Sequence, residues 1–432
     1  MKVQRLPLGA FIPIQFGKLT RDGLIWPPFE DGSPMSETDP RISDALQMAV
    51  DRGEAGVQVA AYVGDQQIVD AWIGPFDPTA PDGRQVDGST LFPVFSVTKI
   101  ITATAIHLQA ERGLLSYGDR ISTYWPEFGC NGKEGITIAH VLAHQSGIPQ
   151  MPAGVTAELM CDWDWMIEQV ANFTPLFGPG EKSAYQSLVF GWILGEVVRR
   201  TDAQHRDFGR FVRDEITTPL GGHDVWLGLP TSELQRAAVL TSELPTEPLP
   251  EEAEIAELTR PQAVAPDAPV HNRTDVRQAC LPGAGAIGSA RACVRVVAML
   301  ANGGELDGVR LLAPERVRSF TVPRPEVEEL DPVLFGGRPV PRPVGVGGLW
   351  LGGTVMGTGP AVLSHGGSGT SVAFADLDSK LSVCIFHNRM FTGFAPEDPN
   401  HPFAPLAQAI RDVADPYISA SSESTSAAHS RI

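Results

Sequence analysis

Residues 91–113 constrain the fold most, because they join an apolar extended run to a helix that has to be buried. The run 91–95 is typical of a strand. Residues 100–113 follow with an apolar pattern that predicts a buried helix closed by Gly113. A helix that is apolar on most of its surface needs neighbours on every side, so the rest of the chain has to enclose it.

Two polar residues stand at the start of that helix. Ser96 and Lys99 are three residues apart, so in a first helical turn they lie on one face and the amine can contact the hydroxyl. The positive end of the helix would favour negative charge that develops on the serine. The pattern is that of an activated nucleophile, although a solvated helix start would carry the same residues.

Strand patterns occupy both ends of the chain and helical patterns its middle. Residues 56–63 and 66–73 predict a β-hairpin, and the region beyond 349 predicts an antiparallel meander. We therefore expect an α+β sandwich, an antiparallel sheet flanked by helices, with a helix-rich domain beside it and the active site between the two. The expected organisation is an N-terminal arm (1–40), a sheet domain (41–90 and 281–415), a helix-rich domain (91–280) with a Pro/Glu-rich excursion (242–275), and a disordered tail (416–432).

Composition limits the possible partners. The chain has 432 residues, 43% of them hydrophobic, which is enough for a sizeable core. Its net charge of −18 argues against nucleic acid or an anionic membrane surface as a partner. No apolar run reaches the roughly twenty residues of a membrane span, and the N-terminus lacks a clear cleavage site, so we expect a cytoplasmic protein.

The sequence gives no indication of a cofactor or metal. The five cysteines are odd in number and include no Cys-x-x-Cys pair, which argues against a disulfide framework or a zinc site. His140 and His144 have the spacing of a metal pair on a predicted helix spanning 136–149, but no acidic third ligand lies nearby. We interpret both as structural histidines.

Two later stretches could complete a site around Ser96. Tyr185 stands in a turn ahead of a predicted helix, where a nearby amine could let its phenol act as a base. In the run His365-Gly366-Gly367-Ser368, paired glycines would let a substrate approach the backbone, and the following amide could bind an oxyanion. An interfacial tyrosine and a plain glycine turn are the alternatives.

Taken in order, these motifs resemble those of the serine β-lactamase and penicillin-binding-protein superfamily. Ser96-x-x-Lys99, Tyr185-x-Ser187 and His365-Gly366-Gly367 have its order and approximate spacing. The chain is most similar to the class C-like branch, which includes carboxylesterases of the family VIII type. The resemblance implies a β-lactamase/transpeptidase-like fold, no cofactor, and a small-molecule ester or amide as the partner; it leaves the oligomeric state open.

The resemblance also implies roles for individual residues. Ser96 would attack an acyl carbonyl, with Lys99, Tyr185 or both accepting its proton. The amides of Ser96 and Ser368 would form the oxyanion hole. The remaining predicted substrate-binding residues are Ser187, His365, Gly366 and Gly367.

Two of these residues depart from the class C pattern. Ser187 stands where those enzymes usually carry asparagine, and His365 where they carry lysine. A largely neutral histidine holds a substrate carboxylate less well than lysine does. The departures favour a carboxylesterase acting on small neutral esters over efficient antibiotic hydrolysis.

Other functions remain compatible with the same residues. Acyl transfer, D-amino-acid peptidase or β-lactamase activity would use the same site, and a non-catalytic binding protein could keep the fold. An α/β-hydrolase is excluded, because no serine has the Gly-x-Ser-x-Gly context.

Overall fold

The computed structural model describes residues 38–243, 257–325, 330–331, 338–339, 344–352, 355, 359–391 and 400–429. Most of the predicted N-terminal arm, residues 1–37, lies outside this part of the chain. Residues 244–256 of the predicted excursion lie outside it as well.

A six-stranded antiparallel sheet brings together the two ends of the chain. The hairpin Val57–Val63 and Gln66–Ile73 forms one side, and Val57–Val63 also pairs with Leu381–His387, so that Val59 lies opposite Ile385. The full strand order is Trp350–Leu351, Val362–Gly366, Val372–Asp376, Leu381–His387, Val57–Val63, Gln66–Ile73. The predicted hairpin and the predicted meander are both confirmed.

The sheet is buried on both faces, and every residue of strands Val57–Val63 and Leu381–His387 is buried. Val57, Val59 and other alternate residues pack against the helices Pro40–Asp51 and Ala404–His429. Ala60 and Cys384 contribute to the core on the opposite face, where helix Ala290–Ala301 packs. This arrangement confirms the predicted α+β sandwich.

Helix Thr98–Glu111 lies at the centre of the helix-rich region, as its composition predicts. All of its residues from Thr98 to Ala110 are buried, and it packs against helix Val189–Thr201. Both helices belong to the same core cluster as Ala60 and Cys384 of the sheet. The core is therefore continuous between the sheet and the helices, while the division into separate domains stays a prediction.

The remaining elements are short. Two-residue strands form small ladders, among them Phe92–Pro93 with Ile287–Gly288. No helix of the described residues is long and apolar enough to cross a membrane. The other helices described from end to end are Ile121–Tyr124, Ile138–Leu142, Ala157–Cys161, Trp163–Asn172, Phe208–Val212 (continued as a π-helix, Arg213–Thr217), Ala268–His271, Thr274–Gln278 and Pro314–Ser319.

The described part of the predicted excursion contains short helices. Gln262–Val264 is a 3₁₀ turn, and helix Ala268–His271 is capped by Asp267. Val264 and Val270 are buried in the main core. The sequence does not predict these turns, because the apolar residues that anchor them are too few and too irregularly spaced to show a period.

The structure contradicts the predicted disordered tail, residues 416–432, as far as residue 429, because helix Ala404–His429 continues through this region. Residues 430–432 lie outside the described residues. Pro416 lies inside the helix and has no N–H to donate to the Asp412 carbonyl. The Arg41 guanidinium donates to that carbonyl instead, at 2.9 Å. Because buried residues such as Ile410 already hold the preceding turns, each added residue extends a helix that needs no new nucleus.

Candidate active site

Ser96 lies in a turn that is held on both sides by one residue of a distant segment. It occupies the 3₁₀ turn Phe95–Val97 directly before helix Thr98–Glu111, and 9% of its surface is exposed. The Val94 N–H donates to the Ala286 carbonyl at 2.9 Å. The Ala286 N–H in turn donates to the Thr98 hydroxyl at 2.9 Å. These bonds fix the backbone immediately before and after the serine.

Phe95, the residue before Ser96, has a left-handed backbone conformation with φ of +49°. Such a conformation is unfavourable for a bulky residue and persists only where its surroundings hold it. The Phe95 ring is buried, and its centroid lies 4.7 Å from that of His271. Leu240, Ala268 and Met390 complete the cluster around it.

Lys99 is completely buried, and its amine contacts three oxygen atoms. Nζ lies 3.2 Å from Ser96 Oγ, 2.7 Å from the Ser187 carbonyl and 2.9 Å from the Gly283 carbonyl. Burial lowers the pKa of Lys99 well below its ordinary value. The predicted contact between Ser96 and Lys99 is therefore present, together with two backbone acceptors.

Burial favours the neutral amine of Lys99, and its donors and lone pair can be assigned to the three contacts. A neutral amine has two N–H donors and one lone pair. The carbonyls of Ser187 and Gly283 can only accept, so they use both donors. The lone pair is then left for the Ser96 hydroxyl, which can donate its proton to Nζ.

Tyr185 completes the group from a third region of the chain. Its hydroxyl lies close enough to Ser96 for the Ser96 side chain to lower the pKa of the phenol, and Lys99 Nζ lies 4.9 Å from the centre of the Tyr185 ring. Burial raises the pKa of Tyr185, and this outweighs the opposing effects of Ser96 and the charge of Arg260. The phenol is therefore protonated near neutral pH.

The predicted substrate-binding residues lie around this group. His365 is buried at the end of strand Val362–Gly366, and its Nδ1 donates to the Gly366 carbonyl at 2.7 Å. The His365 ring centroid is 6.3 Å from those of both Tyr185 and Trp350, and the last two lie 6.4 Å apart. The three rings thus pack as a triangle beside the Ser96 turn.

Gly367 contacts the turn itself. A Cβ atom at this position would lie 2.6 Å from the Val94 carbonyl oxygen and 3.3 Å from Phe95 Cβ, so only glycine fits. Ser187 is buried and contributes its carbonyl to Lys99. Ser368 begins the 3₁₀ turn Ser368–Thr370. The pairing of the Ser96 and Ser368 amides as an oxyanion hole stays a prediction.

The two histidines with metal-like spacing have protein partners. His140 Nδ1 accepts the Thr137 N–H at 3.2 Å and so caps helix Ile138–Leu142, which is shorter than predicted. His144 lies beyond the end of this helix, and its Nδ1 accepts the Gln186 N–H at 3.2 Å. Among the described residues, no group of three or more histidine, cysteine, aspartate or glutamate side chains could hold a metal ion.

Sequence reasoning missed three contributors to the site. The carbonyl of Gly283 has no signature of its own, although the glycine-rich stretch around it is visible in the sequence. Trp350 belongs to a predicted strand, but nothing in the pattern placed its ring beside Tyr185. His144 was interpreted as structural, and it lies against the Tyr185 ring.

With this geometry established, comparison with known proteins decides the family. A protein-family model described as Beta-lactamase matches residues 42–403. The chain belongs to the β-lactamase family. A curated relative, "Esterase/beta-lactamase LipL" of Mycobacterium tuberculosis, is 30% identical over 373 residues, covering 82% of this chain and 82% of LipL.

Solved structures agree with this assignment. The crystal structure of a family VIII carboxylesterase superposes with a TM-score of 0.78 at 29% identity, covering 87% of this chain and 98% of that one. A penicillin-binding protein homologue from Caulobacter crescentus gives a TM-score of 0.73 at 28% identity, with coverages of 87% and 98%. The β-lactamase/transpeptidase-like fold is therefore confirmed, and the chain is a hydrolase of this family.

Proposed function

We propose that this protein is a carboxylesterase that forms an acyl-enzyme on Ser96. The observation that carries the proposal is the convergence of the Lys99 amine and the Tyr185 phenol on one serine hydroxyl. A nucleophile, a basic amine and a proton donor within hydrogen-bond reach are the parts that acyl transfer requires. Relatives named as esterase and carboxylesterase support the same class of reaction.

Acylation begins with the neutral amine of Lys99. As Ser96 Oγ bonds to the ester carbonyl carbon, its proton passes to Lys99 Nζ and the carbonyl oxygen becomes an oxyanion. Collapse of this intermediate breaks the bond to the alcohol oxygen. Tyr185 gives its proton to that oxygen and is reprotonated by the Lys99 ammonium, so the alcohol leaves neutral. Water then repeats the sequence and releases the acid.

Protonation states support Lys99 as the base. Burial lowers the pKa of Lys99 and raises that of Tyr185, so the amine is the more easily deprotonated of the two. A phenolate would have to form in a buried environment that disfavours its charge. We therefore assign proton acceptance to Lys99 and proton donation to Tyr185.

We expect the oxyanion to bind to backbone N–H groups close to Ser96. The Ser96 amide lies in the first turn of a helix, and Gly367 brings the following strand turn into contact with Val94 and Phe95. We assign the second donor to the Ser368 amide. Each such donor contributes about 3 kcal/mol to stabilising the transition state.

Small neutral esters fit the charge of the site. His365 stands at the position where class C enzymes hold a lysine, and its ring is buried between Tyr185 and Trp350. A buried imidazole offers no fixed positive charge to a substrate carboxylate. Ser187 accepts a hydrogen bond from Lys99 through its backbone carbonyl. Its side chain lacks the amide with which asparagine would bind the side chain of a β-lactam.

β-Lactam hydrolysis is the second candidate, because the LipL relative is named as both esterase and β-lactamase. The test compares kcat/KM for a short p-nitrophenyl ester, a chromogenic cephalosporin and a D-alanyl peptide, each with the native protein and with Ser96→Ala. We expect the ester to be turned over well ahead of the other two and only by the native protein. Faster turnover of the cephalosporin would instead establish the second candidate.

A further inference from the structure

His144 occupies a backbone position at which glycine is the usual residue. Helix Ile138–Leu142 ends with the Gln145 N–H donating to the His140 carbonyl at 2.8 Å and the His144 N–H donating to the Val141 carbonyl at 3.0 Å. This pair of bonds is the Schellman motif, whose penultimate residue is left-handed, and His144 has φ of +56°. A histidine there costs free energy that glycine would not.

The contacts of His144 lie on both sides of Tyr185. Its carbonyl accepts the Ala184 N–H at 2.9 Å, and its Nδ1 accepts the Gln186 N–H at 3.2 Å. One residue therefore binds the backbone immediately before and immediately after the tyrosine. These two bonds restrict the conformation of the segment that carries the Tyr185 side chain.

The imidazole also contacts the tyrosine ring directly. The His144 centroid lies 4.7 Å from that of Tyr185 and 5.1 Å from that of Phe190, and only 2% of the His144 surface is exposed. Lys99 Nζ lies near the same two rings. His144 therefore packs against the same two rings that Lys99 Nζ approaches.

The bond to Gln186 requires a neutral imidazole. Nδ1 can accept a proton donor only if it carries no hydrogen itself. Burial lowers the pKa of His144 well below its ordinary value. The neutral tautomer with hydrogen on Nε2 is therefore the form that holds the Tyr185 segment.

We propose that His144 is a positioning residue that holds the Tyr185 hydroxyl against Ser96. The proposal rests on the proposed function, because the Tyr185 hydroxyl matters only if Ser96 is acylated. His144 itself touches neither the substrate nor the Ser96 oxygen in this role. Its effect is on how often the phenol is in place to transfer a proton, which changes kcat more than KM.

His144→Gly and His144→Asn separate this role from a structural one. Glycine removes the Nδ1 acceptor and the ring but suits the left-handed backbone. Asparagine also tolerates that backbone, and its Oδ1 is attached to Cγ as Nδ1 is, so it can accept the Gln186 N–H. The matched control is His205→Gly, since His205 is an exposed histidine with a similar φ of +50°.

With a p-nitrophenyl ester, we expect His144→Gly to lower kcat about 10- to 100-fold with KM changed less than about threefold. His144→Asn should recover most of the lost kcat, and His205→Gly should match the native protein. A kcat for His144→Gly within twofold of the native value would overturn the proposal. So would equal losses in the glycine and asparagine variants.

His144→Asn keeps the proposal testable if the glycine variant does not fold, because asparagine tolerates the left-handed backbone and keeps an acceptor. A kcat within about tenfold of the native value then supports the role, and a larger loss overturns it. Ser96→Ala distinguishes failure of the proposed function from failure of this inference. Hydrolysis that survives Ser96→Ala contradicts the proposed function, whereas hydrolysis that depends on Ser96 but not on His144 contradicts this inference alone.

Discussion

The amine of Lys99 donates to the backbone carbonyl of Gly283 at 2.9 Å, although 184 residues separate the two along the chain. Together with the Ser187 carbonyl, this contact uses the N–H donors of a neutral amine. The lone pair is thereby directed to Ser96. Burial lowers the pKa of Lys99, and the backbone of two other regions fixes where its amine lies.

Replacing Lys99 by methionine removes the proton acceptor while keeping an apolar chain of similar length. We expect kcat/KM for a p-nitrophenyl ester to fall about 10²- to 10⁴-fold, the usual contribution of a general base. Lys133→Met is the matched control, because Lys133 is also fully buried and its Nζ donates to the Cys130 carbonyl at 2.9 Å. That variant should lose about 1–3 kcal/mol of stability and keep its kcat/KM. Similar activity losses in both variants would contradict the role of Lys99.

Stability should depend on pH through the same amine. The pKa of Lys99 is lowered in the folded state, so between that value and the ordinary lysine pKa the unfolded chain binds a proton that the folded chain does not. The free energy of unfolding then rises with pH, by up to about 1.4 kcal/mol per pH unit from this group. Urea titrations between about pH 7 and 9.5 should give a smaller rise for Lys99→Met than for the native protein. Parallel slopes would show that Lys99 stays charged when folded.

Tyr185→Phe removes the proton donor and leaves the ring packing in place. We expect kcat to fall about 10²- to 10⁴-fold. Because burial raises the pKa of Tyr185, the acid limb of the pH–rate profile should keep its midpoint in the residual activity. Tyr124→Phe is the control, since its hydroxyl contacts Asp119 at 2.6 Å, outside the site. Loss of the acid limb in Tyr185→Phe would indicate that the phenol, and not the amine, is the base.

Gly367→Ala should disturb the turn that carries Ser96, because Gly367 lies against that turn. The added methyl group would lie 2.6 Å from the Val94 carbonyl oxygen, which is too close for an unchanged backbone. We expect a loss of about 1–3 kcal/mol in stability and a marked fall in kcat. Gly118→Ala serves as the control, because a Cβ there meets no atom within 4 Å. A Gly367→Ala variant as stable and active as the control would show that this contact does not position Ser96.

The sequence predicted the contact between Ser96 and Lys99 because that contact is local. A three-residue spacing on a helix brings the side chains together whatever the rest of the fold does. Tyr185 and His365 required the resemblance, since no local rule relates them to Ser96. The carbonyls of Ser187 and Gly283 could not be predicted, because a backbone acceptor places no demand on residue type.

The missed features have a common cause in tertiary packing. His144 stands where sequence rules expect glycine, and only the Tyr185 segment explains the exception. The helix through Pro416 depends on Arg41, which lies 371 residues away from the carbonyl that it binds. Local composition predicts a break at Pro416, and a long-range contact offsets it. The predicted helix 136–149 instead ends early, at Leu142, before the left-handed His144.

Acylation of Ser96 is the central claim, and peptide mass spectrometry tests it most directly. The native protein and Ser96→Ala are mixed with a slowly hydrolysed p-nitrophenyl ester, quenched in acid and digested. We expect the native protein to gain the mass of one acyl group on the peptide containing Ser96, and Ser96→Ala to gain none and to hydrolyse no ester. An acyl group on another residue, or ester hydrolysis that persists in Ser96→Ala, would contradict it.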